Sequence, residues 1–94
     1  MINVEQTGHD DPMAFKVTIK EGGGTTTHDV TMSQANFDKL GGGKYCASAC
    51  IEAAFAFLLE REPKEAILRS FDITVISRYF PEFENRIGDY FPEP

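Results

Sequence analysis

From Lys44 to Glu62 the chain contains neither glycine nor proline and is rich in Ala, Leu and Glu. Straight-chain residues and alanine lose little freedom in a helix, so this stretch reads as the strongest helix of the sequence. At about 100° per residue, one narrow side collects Ser48, Glu52, Ala56 and Glu60. The opposite side collects Cys46, Ala47, Cys50, Ala54, Phe57 and Leu58. A helix apolar around most of its circumference has to be covered, and the rest of the chain is expected to fold around it. The apolar run inside it, Tyr45 to Leu59, includes Ser48 and Glu52 and is shorter than the roughly 20 residues of a bilayer span.

The material to cover that helix lies on both sides. Phe15, Val17 and Ile19 alternate with Lys16, Thr18 and Lys20, the period-two pattern of a half-buried strand. Glu21-Gly22-Gly23-Gly24 then offers a tight turn. In the β-branched run Thr25 to Met32, His28, Val30 and Met32 share a face opposite Thr27, Asp29 and Thr31. An antiparallel hairpin follows. Residues 1–13 are polar, end in His9-Asp10-Asp11-Pro12 and read as a flexible tail.

Ser33 fits a helix N-cap before a short helix from Gln34 to Leu40, which the three glycines at 41–43 end. Pro63 suits the first turn of another helix running through Lys64 to Arg69. From Phe71 to Phe80 two patterns compete: Phe71, Ile73 and Val75 alternate as in a strand, whereas Thr74, Ser77 and Arg78 recur at helical intervals. With Asp72 as a cap, a helix from about Ile73 to Phe80 is the stronger reading, interrupted near Pro81. Residues 89–94 read as a fraying C-terminal tail.

Charge narrows the function. The net charge is −6, with +4 and −6 in residues 1–47 and +5 and −9 in residues 48–94. No basic cluster is available to displace counterions from phosphates, which argues against nucleic acid. Two cysteines at i, i+4 do not make the disulfide framework of a small secreted domain, and the first residues lack the positive start and apolar core of a signal peptide. A cytoplasmic, membrane-free protein is expected.

Candidate chemistry is sparse. Cys46 and Cys50 on one helix face could offer two thiolates to a metal, with His28 or His9 to help complete the set. Their spacing is not that of a C-x-x-C redox pair, and free cysteine packs well as a small hydrophobe, so core filling is the simpler role. Gly41-Gly42-Gly43-Lys44 resembles a phosphate cradle, but Tyr45 stands where a P-loop needs Ser or Thr and no strand precedes it. No nucleophile-elbow or zinc-protease pattern occurs. Glu60, Glu62 and Glu65 beside Arg61, Lys64 and Arg69 read as a solvated, self-paired face.

The most distinctive feature lies near the end. Tyr79-Phe80-Pro81-Glu82 recurs as Tyr90-Phe91-Pro92-Glu93, and of eleven aromatic residues six fall in the last 24 positions. Aromatic side chains dominate both cores and interfaces. The first copy is expected to pack into the domain's own core. The second either folds back or docks on a partner through Tyr90 and Phe91.

The run from Phe57 to Phe83, FLLEREPKEAILRSFDITVISRYFPEF, following a strand pair of the Val17-Thr18-Ile19 … His28-Asp29-Val30-Thr31 kind, resembles a family of small uncharacterised bacterial proteins. The likeness spans roughly residues 14–86 and leaves out the Gly41–Tyr45 linker and the cysteines. It implies a cytoplasmic bacterial domain of unknown function and brings no catalytic residues.

The reading is therefore an α+β protein, with a two-stranded antiparallel hairpin packed on a bundle of three to four helices in a single domain over residues 14–88. Its expected function is non-enzymatic protein binding through the aromatic, acidic C-terminal segment, without cofactor, as a monomer or weak homo-oligomer. The second reading is a small metal- or ligand-binding module centred on Cys46 and Cys50, with His28.

Overall fold

A computed structural model of the protein describes residues 1–41 and 43–91. The expected hairpin is present as β2 (Met13–Glu21) and β3 (Gly24–Met32), with Glu21 opposite Gly24. Gly22 and Gly23 take φ of 62° and 82°, left-handed values that a two-residue hairpin turn needs and glycine adopts without a Cβ clash. Phe15, Val17, Ile19, His28, Val30 and Met32 are all buried on one face, as the alternation predicts.

The sheet is larger than the hairpin. Residues 1–13 are not a flexible tail: Ile2–Gly8 forms β1, antiparallel to β2 from Ile2 opposite Ile19 to Gln6 opposite Phe15. Ser70–Asp72 forms β4, parallel to β3, giving the order β1-β2-β3-β4 in one four-stranded mixed sheet. The fold is α+β, but a two-stranded hairpin on a helical bundle is corrected to this sheet. The reason lies in pairing. Ile2 and Val4 are the only strongly apolar marks in β1, and β4 has three residues, so neither segment advertises itself without its neighbour.

Parallel strands need a long crossover, usually helical. Here it contains α1 (Gln34–Leu40), α2 (Ala47–Leu59) and a single 3-10 turn, Lys64–Ala66, where a longer helix to Arg69 was expected. Ser33 caps α1 as expected, its hydroxyl accepting from the Asn36 N–H at 3.1 Å. The central helix is shorter than the sequence suggests. It begins after Cys46, which is its N-cap, and it buries Cys50, Ile51, Ala53, Ala54, Phe55, Phe57 and Leu58.

The remaining elements wrap the end of α2. After β4 come α3 (Thr74–Tyr79), α4 (Phe83–Arg86) and a 3-10 turn, Ile87–Tyr90. Both readings of residues 71–80 hold in part, because the strand ends at Asp72 and the helix starts two residues later. Phe57 is the meeting point: Phe80, Phe83 and Tyr90 present ring edges to it at centroid distances of 5.9, 5.0 and 5.6 Å. The Arg61 guanidinium carbon sits 3.6 Å from the Phe57 ring centroid, a cation–π contact. Phe57→Ala removes one partner from all of these at once. It is expected to cost about 3–5 kcal/mol, measured as a fall in the urea midpoint at constant slope.

Candidate functional site

The residues singled out from the sequence are dispersed by the fold. Cys50 is fully buried, with its thiol 3.7 Å from the Met32 sulfur, whereas Cys46 is exposed at the start of α2. The two therefore do not share an apolar face, because the helix begins one residue after Cys46. Burial first, and the neighbouring Cys46 second, push the Cys50 thiol up to about 12. His28 is also committed. Its Nδ1 lies 2.7 Å from the Leu68 carbonyl, which can only accept, so Nδ1 carries the proton. In the neutral ring the Thr26 hydroxyl, at 2.9 Å, then donates to Nε2. No group of three or more His, Cys, Asp or Glu side chains converges among the described residues. A thiol reagent is expected to add one label quickly, at Cys46, and the second only after denaturation, as read by intact mass.

Tyr90 and Phe91 are used within the chain. The Tyr90 hydroxyl donates to Glu60 at 2.7 Å, Arg61 donates to that hydroxyl at 3.4 Å, and the ring rests on Phe57. Phe91 stacks on Tyr45 at 4.1 Å and approaches Gly41 so closely that a Cβ there would stand 2.7 Å from its ring. The expected C-terminal tail thus packs through residue 91, while Pro92 to Pro94 lie outside the described residues.

The first copy of the repeat has the opposite fate. Phe80 packs against Phe57, but Tyr79 is 68% exposed. Leu68 is 48% exposed, and among the described residues these two and Met1 are the exposed large hydrophobics. Both line one groove of about 350 Å³, together with Phe71 of β4 and Val75 of α3. Leu58 and Ile76 are also part of the lining, and Glu62 is its one charged member. Glu62 has no ion pair among the described residues, whereas Arg61, Lys64 and Arg86 each do.

Asp72 sets the geometry of this groove by fixing the turn from β4 into α3. Its carboxylate accepts from the Thr31 hydroxyl at 2.6 Å, the Thr74 hydroxyl at 2.7 Å and the Thr74 N–H at 3.1 Å. Partial burial on its own would raise the Asp72 pKa, but these three donors outweigh it and hold the carboxyl below the usual aspartate range. A second recess of about 320 Å³, between Thr25–His28 and the 64–69 segment, is polar. Its buried Lys64 is already paired with Glu65 at 2.6 Å.

Comparison with known proteins gives no match: no protein-family model, no curated protein and no solved structure aligns significantly with the chain. No helix among the described residues is long and apolar enough to cross a membrane.

The sequence could have pointed to the groove through one signal. Phe71, Val75 and Tyr79 stand four apart in sequence, and the six-residue helix that carries the last two cannot bury them together with Ile76 on its other side. Asp72→Ala is expected to destabilise the fold by about 1 kcal/mol at neutral pH, the usual effect of losing a helix-start cap. Because the folded carboxyl is the stronger acid, its contribution is present above the ordinary aspartate range and is lost as pH falls through the lowered value. The gap between parent and variant in urea unfolding should therefore close on acidification.

Proposed function

We propose that this protein is a binding module whose groove between β4, α3 and the end of α2 holds an apolar segment of a protein partner. One observation carries the reading: Leu68 and Tyr79 are exposed and stand over the same groove. Isolated exposed hydrophobics are ordinary, but adjacent ones rimming an apolar concavity are the usual mark of an interface. The groove offers one carboxylate and no base to work with it, which suits recognition better than acid–base chemistry. This keeps the binding role in the aromatic C-terminal third and moves it from the second Tyr-Phe-Pro-Glu copy to the first.

The chemistry of the occupant follows from the lining. Apolar walls take Leu, Ile, Met or aromatic anchors, and the unpaired Glu62 at the rim favours a Lys or Arg beside them. The net charge of −6 draws a basic segment in the same direction.

Selection of displayed peptides against the full chain tests this. Enriched sequences should combine an apolar anchor with a neighbouring basic residue. Leu68→Ser and Tyr79→Ser should each weaken their binding by about 30-fold, as expected for an interface hot spot. Tyr90→Phe, which keeps the ring on Phe57, should leave it unchanged. Peptides whose affinity ignores both groove substitutions, or no enrichment at all, would overturn the reading.

A further inference from the structure

Met1 and Lys20 exchange both of their backbone hydrogen bonds, at 2.7 and 2.9 Å. Bonded and non-bonded pairs alternate along an antiparallel ladder. Given the register of β1 on β2, Asn3 and Glu5 therefore also direct their backbone groups to β2. Ile2, Val4 and Gln6 direct theirs away from the sheet. No loop or helix among the described residues bonds to these outward groups. The β1 edge is seven residues long, against three for β4, and it contains no proline and no lysine to block pairing. Ile2 and Val4 pack on the core but stay half-exposed, leaving an apolar strip along the open side.

We propose that the protein self-associates through this edge, β1 pairing antiparallel with β1 of a second copy about a two-fold axis at Val4. The strand's own order supports a copy of itself as the occupant. In this register Val4 faces its equivalent, Ile2 faces Gln6, and Asn3 faces Glu5. The one charge of the strand then meets an amide that can donate to it. Moving the axis to Glu5 would set two carboxylates face to face. The Val4 axis pairs Ile2 through Gln6 of each copy, the regular part of the strand before the irregularity between Gln6 and Gly8. A two-fold axis normal to the sheet keeps both α2 helices on the same face, so the half-exposed valines join the two cores edge to edge. The proposal does not depend on the groove, which lies at the β4 end of the sheet.

Sedimentation equilibrium on the full chain, from about 1 μM to about 1 mM, tests it. A reversible monomer–dimer equilibrium is expected. Val4→Pro removes an N–H that points outward and costs the monomer no ladder bond, so it should leave a folded monomer by circular dichroism and abolish the dimer. Asn3 is exposed, and Asn3→Glu, which sets acid against acid, should weaken the dimer several-fold and respond to salt. Asn3→Lys should strengthen it. If Val4→Pro does not fold, the opposed effects of the two Asn3 variants decide the matter. A monomer throughout, a dimer indifferent to the β1 variants, or one that dissolves only on Tyr79→Ser would overturn the proposal.

Discussion

Phe57 is the contact on which the C-terminal third of the protein depends. Three elements with little helix or strand of their own, around Phe80, Phe83 and Tyr90, are held by edge-to-face contacts to this one ring. Arg61, one turn further along, covers the ring and ties Glu82 and Tyr90 to the same point through hydrogen bonds of 3.3 and 3.4 Å. A helix of four residues and a single 3-10 turn are too short to be stable alone, since helix nucleation outweighs what so few bonds return. Their order comes from packing. The groove inherits that order, because Phe80 lies both against Phe57 and in the groove lining.

The parts of the fold legible in the sequence are those specified locally. The alternation in β2 and β3, the glycine turn and the Ser33 cap each state their conformation within a few residues. Strand β1 does not, because its conformation is completed by β2, and Asn3-Val4-Glu5-Gln6 taken alone is also an ordinary polar segment. Cys46 and Cys50 share a face only if the helix extends back to Lys44. A start at Ala47 instead leaves Cys46 in solvent and Cys50 in the core. In β4 and α3 the alternating and helical patterns overlap because the chain uses each in turn within ten residues.

The repeated Tyr-Phe-Pro-Glu shows where local reading stops for the candidate site. Identical tetrapeptides have no intrinsic preference between core and surface. Tyr90 is drawn in because Glu60 and Arg61 wait at the end of α2, whereas Tyr79 finishes α3 with no such partner for its hydroxyl among the described residues. Aromatic content marks the C-terminal third of the chain, which holds both copies. Choosing between its two copies required knowing which one faced the end of α2.

The order of strands has a consequence for valency. β1 and β4 are opposite edges of one sheet, and the groove borders β4. Two chains joined at β1 would therefore carry their grooves at the two far ends of a continuous sheet, open outward and out of each other's way. A partner bearing two suitable segments could occupy both, the second binding becoming intramolecular with an effective concentration set by the spacer between them. A modest groove of this kind would then discriminate by the spacing of segments as well as by their chemistry.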